Sequence, residues 1–288
     1  MTCIQELQRS AVKIKDPNLI EEKICKLIKG GQAKLQVIAD FDNTLSRFHF
    51  NGKRCDSSHG AIETNPRMPV SFRKKTKALV EKYYPIEADP NISIDIKMPF
   101  IVEWYSSGHQ ALCETKLKKS DLKTIVQESA VLLRDGCQTF LQTLHEHGVL
   151  LIIFSAGLGN VIEEAIHQQA CMYENIHIMS NFMLFDNDGL LMGFNNELVH
   201  TCNKNGTTLS KMDCYSECLE KPCIILLGDS IGDINMVAGL PSAEVTLKIG
   251  FLNDNVEPSI QKYLDNYDVV LVNDQTMDVV NAILRKIL

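Results

Sequence analysis

Two aspartates, Asp40 and Asp42, directly follow an apolar segment that begins at Val37, and Thr44 completes an Asp-x-Asp-x-Thr pattern. In an extended strand residues i and i+2 point to the same side, so both carboxylates are expected to face one site. Two close carboxylates repel each other unless a cation lies between them or one carries a proton. Both arrangements suit phosphate chemistry, because Mg²⁺ prefers oxygen ligands and a carboxylate can attack phosphorus. Taken alone, the pattern favours a simpler interpretation, a turn that caps a helix.

A second pair of acids, Asp229 and Asp233, follows the apolar segment 223–227, and Ser155 follows the apolar segment 149–154. The carboxyl ends of parallel strands meet at one edge of a sheet, which is where ligands bind in open α/β folds. Helix capping explains a single acidic pair equally well. Two acidic pairs and a serine at three strand ends favour a site for a metal ion and a phosphate.

The phosphate needs hydrogen-bond donors and a positive charge. Ser155 offers a hydroxyl and, with Ala156 and Gly157, backbone N–H groups in front of a predicted helix near 160–167, an arrangement that binds anions. Lys204 lies in a predicted loop before the next strand. The spacing alone favours a solvated surface position for this lysine.

The elements that position these residues alternate between strands and helices. Further strands are predicted at 176–179, 246–250 and 268–272, a hairpin at 182–194 and a final helix at 276–288. Residues 1–33 are predicted to be a helical lead-in, since Asp16 and Pro17 form a favourable helix start. This alternation is typical of an α/β protein with a parallel sheet and helices on both faces.

The segment from Ser46 to about Arg134 has a different pattern. Three amphipathic helices are predicted in it, at 71–84, 99–112 and 120–133. A helical insert beside an active-site strand often acts as a lid.

Composition narrows the class further. The chain has 288 residues and a formal net charge of −7, which disfavours a nucleic-acid binder with a basic face. Its ten cysteines form no Cys-x-x-Cys pair and no zinc pattern with the histidines, which favours a reducing compartment. No apolar run approaches the length of a membrane span. We expect a cytosolic monomer without nucleic-acid or membrane partners.

The quoted residues, in chain order, resemble the four motifs of the haloacid dehalogenase-like phosphohydrolases. Longer segments resemble the cytosolic 5′-nucleotidase III family, which contains the pyrimidine 5′-nucleotidase and the 7-methylguanosine phosphate-specific 5′-nucleotidase. These segments are 39–48, 52–55, 83–87, 102–105, 153–157, 225–230 and 247–250.

The resemblance implies a fold, a cofactor and a reaction. The fold is a haloacid dehalogenase-like, Rossmann-type parallel sheet core with an inserted helical-bundle cap. Residues 1–47 are then the lead-in and first core strand, 48–134 the cap, and 135–288 the rest of the core. The implied reaction is Mg²⁺-dependent hydrolysis of CMP, UMP or 7-methyl-GMP to nucleoside and phosphate through an aspartyl-phosphate, with phosphotransfer to nucleosides as a side activity.

The resemblance also implies roles at the catalytic end. Asp40 is the nucleophile, and Asp42 protonates the leaving oxygen and then activates water. Mg²⁺ is held by the Asp40 carboxylate, the Asp42 main-chain carbonyl and Asp229, with Asp233 in support.

Substrate contacts follow in the same way. Ser155, Ala156 and Lys204 hold the phosphate, which replaces the surface position expected for the lysine. In the cap, Glu87 contacts the base and Tyr105 is available for stacking on it.

Base preference stays open at this stage. Gly108 stands where the pyrimidine branch has a serine, and Tyr105 stands where the methylguanosine branch tends to have tryptophan. Two further hypotheses also stand. One is a phosphatase for another small phosphoester; the other is a non-catalytic phosphate-binding scaffold, which the presence of all the key polar residues disfavours.

Overall fold

The computed structural model describes residues 4–89, 92–195 and 197–288. In these residues eleven strands follow one another along the chain. They are β1 (Val12–Ile14), β2 (Leu35–Ala39), β3 (His49–Phe50), β4 (Lys53–Arg54), β5 (Leu150–Leu158), β6 (Ile176–Asn181), β7 (Met183–Phe185), β8 (Leu191–Phe194), β9 (Cys223–Gly228), β10 (Val245–Leu252) and β11 (Val269–Val272).

Eleven α-helices are described over the same ranges. They are α1 (Pro17–Gly30), α2 (Gly60–Glu63), α3 (Val70–Ala88), α4 (Ile94–Glu114), α5 (Leu122–Glu128), α6 (Cys137–Glu146), α7 (Gly159–Gln169), α8 (Gly206–Leu209), α9 (Tyr215–Leu219), α10 (Val256–Asn266) and α11 (Asp278–Ile287). None of the described helices is both long and apolar enough to cross a membrane.

Seven strands form one sheet in the order β1-β11-β10-β9-β2-β5-β6. Every neighbouring pair is parallel except β1 and β11. All residues of β2, β5 and β9 are buried, as expected for parallel strands covered on both faces. The predicted α/β class is confirmed.

The two faces of the sheet belong to separate apolar clusters. Val37 of β2 packs with residues of α1, α6, α7 and α11, whereas its neighbour Ile38 packs with residues of α8 and α9. Residues of β5 and β9 also alternate between the two clusters. This packing on both faces holds β2, β5 and β9, the three central strands whose ends carry the predicted site residues.

The lead-in prediction needs one correction. Helix α1 is present, and Asp16 accepts hydrogen bonds from the backbone N–H groups of Asn18 (3.0 Å) and Leu19 (3.1 Å). The residues before it, however, form the edge strand β1, with Val12 opposite Leu271 of β11. Three residues carry too little periodicity to predict such a strand.

A helical insert, α2 to α5, lies in the chain between β4 and α6. Its longest helices, α3 and α4, extend beyond the predicted bounds, and α5 is shorter than predicted. The β7–β8 hairpin supports the insert: the N–H of Lys119 donates to the Gly189 carbonyl (2.8 Å), and the N–H of Leu191 donates to the Leu117 carbonyl (2.9 Å).

Candidate active site

The chain leaves the central strand at Asp40. The Asp40 N–H donates to the Leu227 carbonyl of β9 at 3.0 Å, which ties this residue to the neighbouring strand. Three residues later Asn43 adopts a left-handed conformation with φ of 61°, which asparagine tolerates better than most residues. Asp42 therefore lies in a turn, and the prediction that strand alternation orients both aspartates is wrong in its reasoning.

Lys204 lies between two carboxylates. Its ammonium donates to Asp40 Oδ1 at 2.7 Å and to Asp233 Oδ1 at 2.5 Å, and the residue is only 4 % exposed. The surface position favoured by spacing alone is wrong. Burial opposes the charge on Lys204, but Asp233 and Asp40 outweigh it and raise the pKa of the ammonium.

Asp233 has two functions at once. Its Oδ2 accepts hydrogen bonds from the Asp229 N–H (3.2 Å), the Ser230 N–H (2.9 Å) and the Ser230 hydroxyl (2.9 Å). This is a capping box at the start of a short 3₁₀ helix, so the capping interpretation was correct for one oxygen. The other oxygen binds Lys204, so capping and site formation are compatible.

Three carboxylates, those of Asp40, Asp229 and Asp233, place one oxygen each within 4.8 Å of the others. Burial, first, and the neighbouring carboxylates raise the pKa of Asp229, and burial is also the largest cause that raises the pKa of Asp40. The Lys204 ammonium and the Arg134 guanidinium, both of which lower the pKa of Asp229, balance only part of the three negative charges. An all-oxygen set with excess negative charge is what a hard divalent cation binds, so these residues fit Mg²⁺.

The Asp42 carboxylate is held by a serine from the segment between β4 and α2. Asp42 Oδ1 accepts from the Ser58 N–H (2.7 Å) and Oδ2 from the Ser58 hydroxyl (2.6 Å). The Ser58 oxygen in turn accepts from the Leu158 N–H (3.2 Å). Burial raises the pKa of Asp42, while the two bonds from Ser58 lower it. Sequence reasoning missed Ser58, since a lone serine in a loop belongs to no motif.

A glycine allows these groups to meet. A Cβ on Gly157 would lie 2.0 Å from Ser58 Oγ, 2.9 Å from Asp42 Oδ2 and 3.1 Å from Ser155 Oγ. The Gly157 N–H also donates to Ser155 Oγ at 3.0 Å. Ser155 and Ala156 both lie in β5 and are buried. The end of β5 thus brings the predicted phosphate-binding residues beside Asp42.

Arg134 was also missed. This buried guanidinium donates to the carbonyls of Thr44 (2.6 Å), Asn43 and Asp274 and to Asn253 Oδ1 (2.9 Å). Burial lowers its pKa to about 10, so it stays charged at neutral pH. Its contacts hold the turn that follows Asp40. An arginine directly after four apolar residues was the available signal.

The insert contributes Glu87 from α3 and Tyr105 from α4. Glu87, near the end of α3, accepts a hydrogen bond from the Thr201 hydroxyl at 2.9 Å. Burial raises the pKa of Glu87, and Thr201 lowers it. The pKa of Tyr105 is raised well above its usual value, by burial first and then by the charges of Glu87, Asp42 and Asp40.

Aromatic rings surround Tyr105. Ring centroids of His59, Trp104 and His200 lie 5.7, 6.0 and 6.5 Å from its own. Burial lowers the pKa of His59 to about 4, so this ring is neutral at physiological pH. The region around Tyr105 thus offers aromatic faces, and Glu87 offers a carboxylate.

The fold recurs in known hydrolases. A HAD family hydrolase from Salmonella enterica covers 89 % of this chain, and 72 % of its own chain is covered, with a TM-score of 0.56 at 16 % identity. This likeness shows that the chain has the haloacid dehalogenase-like fold, as predicted.

Relatives with higher sequence identity identify the family to which the chain belongs. The family described as pyrimidine 5′-nucleotidase (UMPH-1) matches residues 43–288. The 7-methylguanosine phosphate-specific 5′-nucleotidase of Homo sapiens is 44 % identical over 285 residues, which are 99 % of this chain and 95 % of that protein. The Gallus gallus protein of the same name is 46 % identical, with 99 % of both chains covered.

A crystal structure of cytosolic 5′-nucleotidase IIIB (cN-IIIB) bound to cytidine superimposes with a TM-score of 0.93 at 35 % identity. The match covers 99 % of this chain and 96 % of that one. The chain belongs to the pyrimidine 5′-nucleotidase (UMPH-1) family, as the resemblance to cytosolic 5′-nucleotidase III predicted.

Proposed function

We propose that this protein hydrolyses nucleoside 5′-monophosphates to nucleoside and inorganic phosphate with bound Mg²⁺. The observation that carries this proposal is the buried Lys204 between Asp40 and Asp233, below an insert that presents Glu87 and Tyr105. A charged phosphate end and an aromatic base end match the two halves of a nucleotide.

The reaction has two steps. An Asp40 carboxylate oxygen attacks phosphorus, the bond from phosphorus to the 5′-oxygen breaks, and Asp42 gives its proton to that oxygen. Asp42 then takes a proton from a water molecule, which attacks the aspartyl-phosphate, so that phosphate leaves and the Asp40 carboxylate is regenerated. The raised pKa of Asp42 supports its role as proton donor.

Asp40, the main-chain carbonyl of Asp42 and Asp229 would hold the Mg²⁺, with Asp233 in support. When bound, the cation neutralises negative charge on the carboxylates and the transferred phosphoryl group. Ser155, the backbone at Ala156 and Lys204 would bind the phosphate oxygens.

For the base we propose 7-methyl-GMP as the preferred substrate and CMP as the second. A methylated guanine carries a positive charge, which the Glu87 carboxylate and the ring of Tyr105 attract. The names of the relatives from human and chicken support the first choice. The cytidine bound to cN-IIIB supports the second.

We also propose that residues 48–134 form the cap and that 1–47 and 135–288 form the core. By analogy with cN-IIIB, which is named a cytosolic enzyme, we propose a cytosolic location. A monomer remains our proposal for the assembly, without nucleic-acid or membrane partners.

The test is a comparison of kcat/KM for 7-methyl-GMP, CMP, UMP and phosphoserine in Mg²⁺ buffer. We expect at least one nucleotide to exceed phosphoserine by about 100-fold, since base contacts of a few kcal/mol are lost without the base. A preference for phosphoserine would favour the small-phosphoester hypothesis. No phosphate release from any substrate would favour the scaffold.

A further inference from the structure

One short turn of the core reaches both ends of the proposed site. It is the base–phosphate turn, residues 200–204, which follows the β7–β8 hairpin in the chain. Its last residue, Lys204, binds Asp40 and Asp233. Its second residue, Thr201, binds Glu87, which is 114 positions away in the sequence.

The base–phosphate turn is held firmly. The His200 N–H donates to Asn203 Oδ1 (2.8 Å), and the Asn203 N–H donates back to the His200 carbonyl (3.1 Å). The Thr208 hydroxyl donates to the Asn203 carbonyl (2.6 Å). The side chain of Asn181 in β6 makes two hydrogen bonds to Val199, the residue before the turn. Its Nδ2 donates to the Val199 carbonyl, and its Oδ1 accepts from the Val199 N–H. Because these bonds tie the turn to β6 and α8, it can serve as a fixed reference for a side chain from the insert.

Glu87 is fixed at two points. Lys97 donates to its main-chain carbonyl at 2.6 Å, and Thr201 donates to its Oε1 at 2.9 Å. A carboxylate has four lone-pair sites, so a single bond from Thr201 leaves Oε2 and part of Oε1 available. The hydrogen bond from Thr201 also restricts the side-chain torsions of Glu87 before the substrate binds. Less conformational entropy is then lost on binding.

We propose that Thr201 is a positioning residue for base recognition, whose hydroxyl fixes the plane of the Glu87 carboxylate so that its free lone pairs face the nucleobase. This inference rests on the proposed function, in which Glu87 contacts the base. The Thr201 hydroxyl donates to the Glu87 carboxylate at 2.9 Å, so we expect its effect on the base to pass through Glu87.

The test uses Thr201→Val, which keeps the shape of the side chain and removes the donor, and Thr201→Ser, which restores the donor. Thr207→Val is the matched control, since Thr207 is an exposed threonine in α8 outside the site. We expect Thr201→Val to raise KM for 7-methyl-GMP or CMP about fivefold to tenfold, with kcat changed less than about twofold. Thr201→Ser and Thr207→Val should both keep the wild-type KM.

A double variant separates this role from a structural one. If Thr201 acts through Glu87, adding Thr201→Val to Glu87→Ala causes no further rise in KM. Multiplied effects would overturn the proposal, as would a wild-type KM in Thr201→Val beside a selective loss in Glu87→Ala. If Glu87→Ala itself reduces activity on nucleotides and on p-nitrophenyl phosphate equally, the base-binding role of Glu87 fails, and the role of Thr201 fails with it.

Discussion

The two ends of the proposed substrate site differ in their side chains and in the structural elements that carry them. The phosphate end consists of charged side chains that follow strands of the sheet or lie in the turn 200–204, and Asp40, Lys204 and Asp233 are each at most 6 % exposed. The base end consists of aromatic rings and one carboxylate on the helices of the insert. On the same helices, α3 and α4, the side chains of Tyr84 and Ile96 are 58 % and 60 % exposed.

This difference indicates that the phosphate end carries out the reaction and that the base end selects the substrate. Buried charges held by a sheet need little reorganisation during the reaction, which is the basis of electrostatic catalysis. Among the described residues, the bonds that join Asp40, Lys204 and Asp233 involve no helix of the insert, so these helices can vary without disturbing those charges. Changes at the phosphate end should therefore reduce the rate for every substrate, whereas changes at the base end should alter the choice between substrates.

The largest effect is expected from Asp40→Asn. Loss of the nucleophile should lower kcat by at least about 10⁴-fold for nucleotides and for p-nitrophenyl phosphate alike. Asn has nearly the same shape, so far-UV circular dichroism should match that of the wild type. Turnover that persists in a preparation free of contaminating phosphatase would refute the nucleophile assignment.

Removal of the metal should come next. Dialysis against EDTA is expected to lower phosphate release by at least about 100-fold, because the clustered carboxylates then repel the substrate phosphate. Added Mg²⁺ should restore the rate. Full activity in EDTA would show that Lys204 alone is sufficient and that the acidic cluster holds no required cation.

Ser58→Ala sharpens the comparison within the phosphate end. Loss of the hydroxyl that orients Asp42 should lower kcat/KM for a nucleotide about 10- to 100-fold, because Asp42 must protonate the leaving 5′-oxygen of the nucleotide. The same parameter for p-nitrophenyl phosphate, whose leaving group needs none, should change little.

Ser57→Ala is the matched control for this variant, because Ser57 caps the Gly60 N–H and makes no bond to Asp42. Equal losses on both substrates would show that Ser58 supports the fold and does not orient the general acid.

The smallest effect concerns pH at the base end. Burial raises the pKa of Glu87 above its usual value, so its carboxylate takes up a proton at a higher pH than an exposed glutamate would. Binding of 7-methylguanosine, which has no phosphate, should therefore weaken as the pH falls below neutrality and Glu87 takes up its proton. His59 and His109 do not account for this loss, because burial lowers their pKa values to about 4 and about 3.

Calorimetric titration of the wild type and Glu87→Gln measures this dependence. The variant should bind weakly at every pH. An identical pH dependence in both proteins would assign the titration to another group.

Much of this molecule was predictable because strands of a parallel sheet are buried on both faces. The predicted strand at 223–227 is β9, Cys223–Gly228, and the acids after it lie where the pattern placed them. The edge strand β1 was not predictable, because its three residues pair with one neighbour only and carry no buried run.

The connections within the site were harder to predict because they depend on tertiary contacts. Ser58 binds a carboxylate sixteen positions earlier, and Thr201 binds one in another element altogether. Lys204 has polar neighbours in sequence, so its burial follows only from the fold around it. The resemblance to a family supplied its position, whereas residue spacing did not.

The central claim is that Asp40 accepts the phosphoryl group. A crystal structure of the protein with Mg²⁺ and beryllofluoride, an analogue of that group, tests this directly. The account predicts beryllium bonded to an Asp40 carboxylate oxygen, with fluorides near Lys204 and Ser155. Beryllofluoride bonded to any other side chain would contradict it.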